Sequence, residues 1–217
     1  MIKTATLPHG FLKVWKWFML TVGVFLLVVP LLGQRPNIVW IMAEDISPEL
    51  ECYGHPAVRT PHLNTLASEG ARYTRAFTTA PSCTPSRNAM MLGVYQTRTD
   101  TQDQRRRGIT LPAGVKPITH LLREAGYFTA LRCGYSGKTD LNFDAEPLFD
   151  GNDWKQRQPG QPFFAQITLN ITHRQPNNGG WYPVREQSAH PVDPTDVSLP
   201  PYFPDHPVCR MDWAIYL

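Results

Sequence analysis

No acidic residue occurs among the first 33 positions of this 217-residue chain, which hold Lys3, Lys13 and Lys16. The formal net charge of +3 therefore belongs to that segment, and beyond it 18 basic side chains balance 18 acidic ones. The basic balance is therefore no evidence of a nucleic-acid surface, and no nucleic-acid partner is expected. No C-x-x-C pair is present, so the four cysteines at 52, 83, 133 and 209 match no zinc pattern. In an exported chain they allow two bridges, with three connectivities. No internal repeat is found, and the 21 prolines are too many for a helical bundle. What is abundant is apolar material. A hydrophobic fraction of 42% with 11% aromatics suffices for a packed core and excludes wholesale disorder.

From Trp17 to Gln34 the chain carries no charge for 18 residues, and Lys13 and Lys16 stand just before this stretch. That is the order of a secretory signal, basic first and apolar second. The length also reaches the lower limit for spanning a bilayer. Residues 1–34 thus read as a signal peptide or a signal anchor. Either reading predicts export to a periplasmic or extracellular location, or anchorage to a membrane through residues 17–34.

The remainder, residues 35–217, reads as alternating strand and helix. Asn37–Ala43 (NIVWIMA) predicts a fully buried strand ending in Glu44-Asp45. Thr60-Pro61 predicts an N-cap and first helical residue, with Gly70 as the stop. Residues 71–78 alternate and predict a strand. Residues 81–93 predict a loop and a short helix ending at Gly93. A helix over 117–125 and a strand over 127–131 follow, and Phe163–Leu169 predicts a buried strand running into His173. Such alternation predicts a mostly parallel sheet covered by helices. Ligands of these sheets collect beyond the C-terminal strand ends, where Glu44, Asp45 and His173 would lie.

Residues 83–93 read Cys-Thr-Pro-Ser-Arg-Asn-Ala-Met-Met-Leu-Gly. By average residue usage, a chance C-x-P-S-R in a chain this size arises about once in a thousand or more rarely. Pro85 sets a helix start just after Cys83, so that backbone N–H groups and the positive helix end face an anion there. Arg87 adds a fixed cation. The motif resembles the sulfatase signature, in which the cysteine is oxidised to formylglycine and its hydrated aldehyde acts as nucleophile. Further segments are similar to that family. Arg35 through Asp45 looks like its opening strand with two acidic calcium ligands, here Glu44, where Asp is usual, and Asp45. Cys52-Tyr-Gly and Thr60-Pro-His-Leu-Asn resemble its next segments, and Gly137-Lys138-Thr-Asp resembles its second signature. Asp140, Asn142-Phe143 and Pro162-Phe-Phe through Thr172-His173 lean toward the heparan N-sulfatase-like branch.

The resemblance implies an alkaline-phosphatase-like α/β fold, a mostly parallel sheet sandwiched by helices, and cleavage of sulfate esters or N-sulfates. It implies a catalytic set of Cys83, Arg87, Lys138 and His173, with Lys138 on the sulfate and His173 on the sulfate or the leaving group. It implies a divalent cation, calcium, at Glu44, Asp45 and residue 83. The implied partners are a sulfated small molecule or glycan and the formylglycine-generating maturation enzyme. Asn170-Ile-Thr is formally a glycosylation sequon, discounted because a glycan would block His173. Arg105-Arg106-Arg107 reads as a solvated loop, with attraction of a polysulfated substrate as the lesser reading.

Two departures from the family pattern stand out. Seven residues, 130–136, separate Thr129 from Gly137, more than the family places there. The family's second acidic pair, second lysine and C-terminal domain have no counterpart, so residues 35–217 read as a truncated, N-terminal part of the catalytic domain. Two carboxylates do not complete a calcium shell, and the chain alone is therefore expected to be inactive. A remnant that binds sulfated glycans and a phosphonate or phosphate monoester hydrolase of the same superfamily are the alternatives.

Overall fold

A computed structural model describes residues 35–173 and 188–217. The reading of residues 1–34 lies outside the described residues. Among the described residues no helix is long and apolar enough to cross a membrane.

Three parallel strands carry the fold: β1 (Ile38–Ala43), β2 (Phe128–Leu131) and β3 (Phe163–Leu169), in the order β1-β3-β2. Between β1 and β2 the chain makes three helices: α1 (Pro61–Glu69), α2 (Cys83–Leu92) and α3 (Ile118–Glu124). A fourth, α4 (Pro207–Tyr216), lies near the C-terminal end. β3 is central and its first six residues are all buried, as its unbroken apolar run predicts. On one side of it Ala130, Phe163 and Ala165 form a small core, with Trp154 stacked on Phe163 at 5.4 Å between ring centroids. A second core of Met91, Leu92, Ile109 and Phe143 seats the C-terminal half of α2. That helix ends where Gly93 takes a left-handed φ of 66°, and the Gly93 N–H reaches Ala89 O.

Two expectations are corrected. β1 is not fully buried: it alternates, with Val39 48% and Ile41 60% exposed, because it pairs only with β3 and one of its faces is uncovered among the described residues. Residues 71–78 form no strand. Alternation there meets no partner strand, and the segment is tied down by side chains instead. Tyr53 Oη donates to Tyr73 O at 2.9 Å, and Arg72 donates to Cys52 O. The four cysteines, Cys52, Cys83, Cys133 and Cys209, are all free. A smaller difference concerns Thr60. It precedes α1 as expected, but its hydroxyl accepts the Glu51 N–H at 3.2 Å rather than capping the helix.

Candidate active site

The parallel register decides what meets at the C-terminal edge of the sheet. Ala43 of β1 pairs with Leu169 of β3, so Glu44-Asp45 and the 3-10 turn Asn170–Thr172 leave the sheet side by side. Glu44 is buried at 4% exposure. Asp45 adopts a left-handed φ of 47°, a conformation that Asp tolerates better than most residues. His173, just past the turn, brings Nε2 to 3.8 Å from Asp45 Oδ2. One ligand atom each from Glu44, Asp45 and His173 lies within 4.8 Å of the others. Cys83, the first residue of α2, lies outside that three-residue cluster, with Arg87 one turn further along the helix.

Cys83 and Arg87 are four residues apart on α2 and so share a face. Arg87 is buried, donates through Nη2 to Glu44 Oε1, and through Nη1 to Lys138 O at 3.3 Å. Lys138 Nζ lies 3.1 Å from the second Glu44 oxygen and 3.3 Å from Asp140 Oδ2. One buried carboxylate thus holds both expected cations, and the three charges offset one another where water is scarce.

The lengthened 130–136 segment leads into a Lys138 that lies beside Glu44. After β2 the chain turns through left-handed Arg132, Cys133 and Gly134, and Ser136 bridges back to Thr168 of β3. Backbone bonds from Arg132 N to Gln166 O and from Cys133 N to Asn152 O hold this bulge against the sheet. The extra residues are absorbed in the turn, and the lysine returns over the C-terminal edge.

Gln104 was not readable as a site residue, yet its side chain spans the start of α2. Its Nε2 donates to Cys83 Sγ at 3.0 Å and its Oε1 accepts the Thr84 N–H at 3.3 Å. Behind it, Asn88 and Asn142 are fully buried and bond reciprocally: Asn142 N donates to Asn88 Oδ1 at 3.1 Å, and Asn88 Nδ2 donates to Asn142 Oδ1. Asn142 Nδ2 also donates to the backbone carbonyls of Asp103 and Arg106, which pins the arginine loop to the helix. That loop is exposed, as expected, but it is not merely solvated. Arg105 and Arg107 line a cavity of about 410 Å³ together with Thr84, Lys138, Asn170 and His173. No sequence signal linked positions 88, 104 and 142, because their meeting is a tertiary event.

Glu44 and Asp45 offer the hard oxygen donors that a calcium ion takes, and His173 adds a nitrogen. The buried His173 Nδ1 finds no partner among the described residues. This set fits one side of a divalent cation's shell. It is short of the roughly six to eight oxygens of calcium.

A protein-family model described as Sulfatase matches residues 36–152. An ulvan-active sulfatase from Formosa agariphila is 33% identical over 158 residues, which cover 65% of this chain and 26% of that protein. The human steryl-sulfatase is 35% identical over 160 residues, covering 68% of this chain and 26% of its own length. The chain thus spans about a quarter of the curated relatives it matches. Among solved structures, a 2-O GAG sulfatase aligns with a TM-score of 0.53 at 20% identity, over 79% of this chain and 42% of that one. That likeness supports the α/β, alkaline-phosphatase-like architecture with a parallel sheet.

Proposed function

Because this chain belongs to the sulfatase family, we propose that it supplies the N-terminal, nucleophile-bearing part of a hydrolase acting on sulfate esters or N-sulfates, with a sulfated glycan or small molecule as substrate. The observation that carries this reading is the convergence of Arg87 and Lys138 on Glu44, one helical turn from Cys83. Oxidised to formylglycine by a maturation enzyme, residue 83 would supply a hydrated aldehyde as nucleophile. Gln104 Nε2, which now donates to the Cys83 sulfur, is in position to orient the hydroxyl that takes its place. Arg87 and Lys138 set positive charge where sulfate oxygens gain negative charge in the transition state. His173, past the end of the neighbouring strand β3, is the candidate to give a proton to the departing alcohol or amine. Glu44 and Asp45 would hold a divalent cation, and a bound cation would draw negative charge from the sulfate oxygens. Residues 1–34 are proposed to direct export, as a signal peptide or anchor. A reporter fused after Gln34 is expected outside the cytoplasm, and one fused after residue 16 inside it.

The test is chemical. When the chain is coexpressed with a formylglycine-generating enzyme, the tryptic peptide ending at Arg87 should lose about 18 Da, the change from thiol to aldehyde. Arg87→Ala should reduce that conversion. An unmodified thiol under conditions that convert a control sulfatase overturns the reading.

A further inference from the structure

The three consecutive arginines of the 103–107 loop are not equivalent. Arg106 turns to its own loop, with Nη1 at 2.9 Å from Asp100 Oδ2 and 3.4 Å from Asp103 Oδ2. Arg105 and Arg107 instead line the cavity that also holds Lys138, Asp140 and His173; the Asp140 carboxylate is taken by Lys138, and neither arginine forms an ion pair among the described residues. Lys138 is already matched by Glu44 and Asp140. The unmatched positive charge of the cavity is therefore that of the two arginines.

The loop that carries them is held in place. Asn142, at 1% exposure, donates to the Asp103 and Arg106 carbonyls, and Ile109 N donates to Asn142 O at 2.9 Å. Gln104 ties the same loop to Cys83 and Thr84. Arg105 itself sits at a left-handed φ of 62°, a conformation that such anchoring sustains. Fixing the backbone on both sides of two guanidinium groups lowers the ordering cost of binding an anion there. Thr84, at 1% exposure, also lines the same cavity.

From these features we infer that Arg105 and Arg107 form a second anion subsite, which takes a sulfate or carboxylate group of the substrate other than the one being cleaved. The inference rests on the sulfatase reading above and deepens it: the substrate class is polyanionic. A volume of about 410 Å³ suits a sugar-sized ligand better than a lone sulfate. Guanidinium groups bind the paired oxygens of sulfate and carboxylate in a fork, which a lysine does not do. The arrangement distinguishes substrates by their second charge while Lys138 and Arg87 handle the first.

Calorimetric titration of the 217-residue chain in the presence of calcium provides the test, with glucosamine 6-sulfate and glucosamine 2-N,6-O-disulfate as probes. The disulfate should bind about tenfold more tightly than the monosulfate, a preference that falls with added salt. Arg105→Ala with Arg107→Ala should abolish the preference and leave monosulfate affinity unchanged. Arg106→Ala, which touches only the loop's own carboxylates, should keep it. Equal affinity for the two probes, no measurable binding of the disulfate, or a preference that survives the double substitution overturns the subsite. The sulfatase reading is judged separately, by conversion of Cys83. A converted residue 83 without the preference leaves the reading standing and removes the subsite.

Discussion

Gln104 donates its side-chain N–H to the Cys83 sulfur at 3.0 Å, across a sequence separation of 21 residues. The same amide accepts the Thr84 N–H at 3.3 Å, so one side chain holds both the sulfur and the backbone that presents it. A hydrogen bond at this distance fixes the direction in which the sulfur faces an incoming electrophile. Gln104→Met keeps the bulk and removes the N–H. Alkylation of unconverted Cys83 by iodoacetamide should then slow by about three- to tenfold, the range expected for losing one ordinary net hydrogen bond. Cys52, Cys133 and Cys209 should react as before. Peptide mass spectrometry over a time course reads all four sites at once, and an unchanged Cys83 rate would show the contact to be incidental.

Cys133 gives stability a pH dependence. Burial pushes its thiol up, and a backbone N–H at Trp154 opposes that only in part. The folded protein therefore keeps the Cys133 proton to higher pH than the unfolded chain does. Its contribution to stability is complete below the ordinary thiol value, about 8.5, and is lost as pH rises through the folded-state value. Cys133→Ala should accordingly show a smaller deficit against the parent above that range than below it. Urea midpoints measured from pH 7 to pH 10 check the sign, and a deficit that grows with pH would contradict it.

Much of this arrangement was legible in the sequence because it is encoded locally. The apolar run of β3 and the glycine that ends α2 are signals within single segments, and each marks its element closely. The acidic pair after β1 and the histidine after β3 are also local. Their meeting follows from parallel pairing, since Ala43 and Leu169 share a register position. Residues 71–78 misled because alternation describes a strand only when another strand is there to pair with it. β1 looked buried because its composition is apolar, yet burial depends on what covers each face. The loop arginines looked like an undivided basic run. Their division into one paired and two cavity-lining side chains depends on Asn142, which reaches back 36 residues to the Arg106 carbonyl.

The last prediction concerns Glu44, whose two oxygens are shared between Arg87 and Lys138. The Glu44 and Arg87 side chains are 3% and 8% exposed, so solvent screens their interaction little. Removing the carboxylate charge would leave two cations facing each other with no counter-charge between them, although Lys138 keeps Asp140 at 3.3 Å. Breaking a buried pair by deleting one partner typically costs about 3–5 kcal/mol, most of it the penalty of the stranded charge. Glu44→Gln should therefore lower the unfolding free energy by about 3 kcal/mol. Lys138→Met should cost less, about 1 kcal/mol, because Glu44 keeps Arg87 and the lysine is partly solvated. Combining Glu44→Gln with Lys138→Met should recover part of the loss, since only one stranded cation remains. This sign of coupling separates a charge network from simple packing, where two losses at neighbouring sites would accumulate. Urea denaturation of the parent and the three variants measures it. A Glu44→Gln protein within about 0.5 kcal/mol of the parent, or a double variant less stable than either single one, would show that Glu44 is not the centre of charge balance at this strand end.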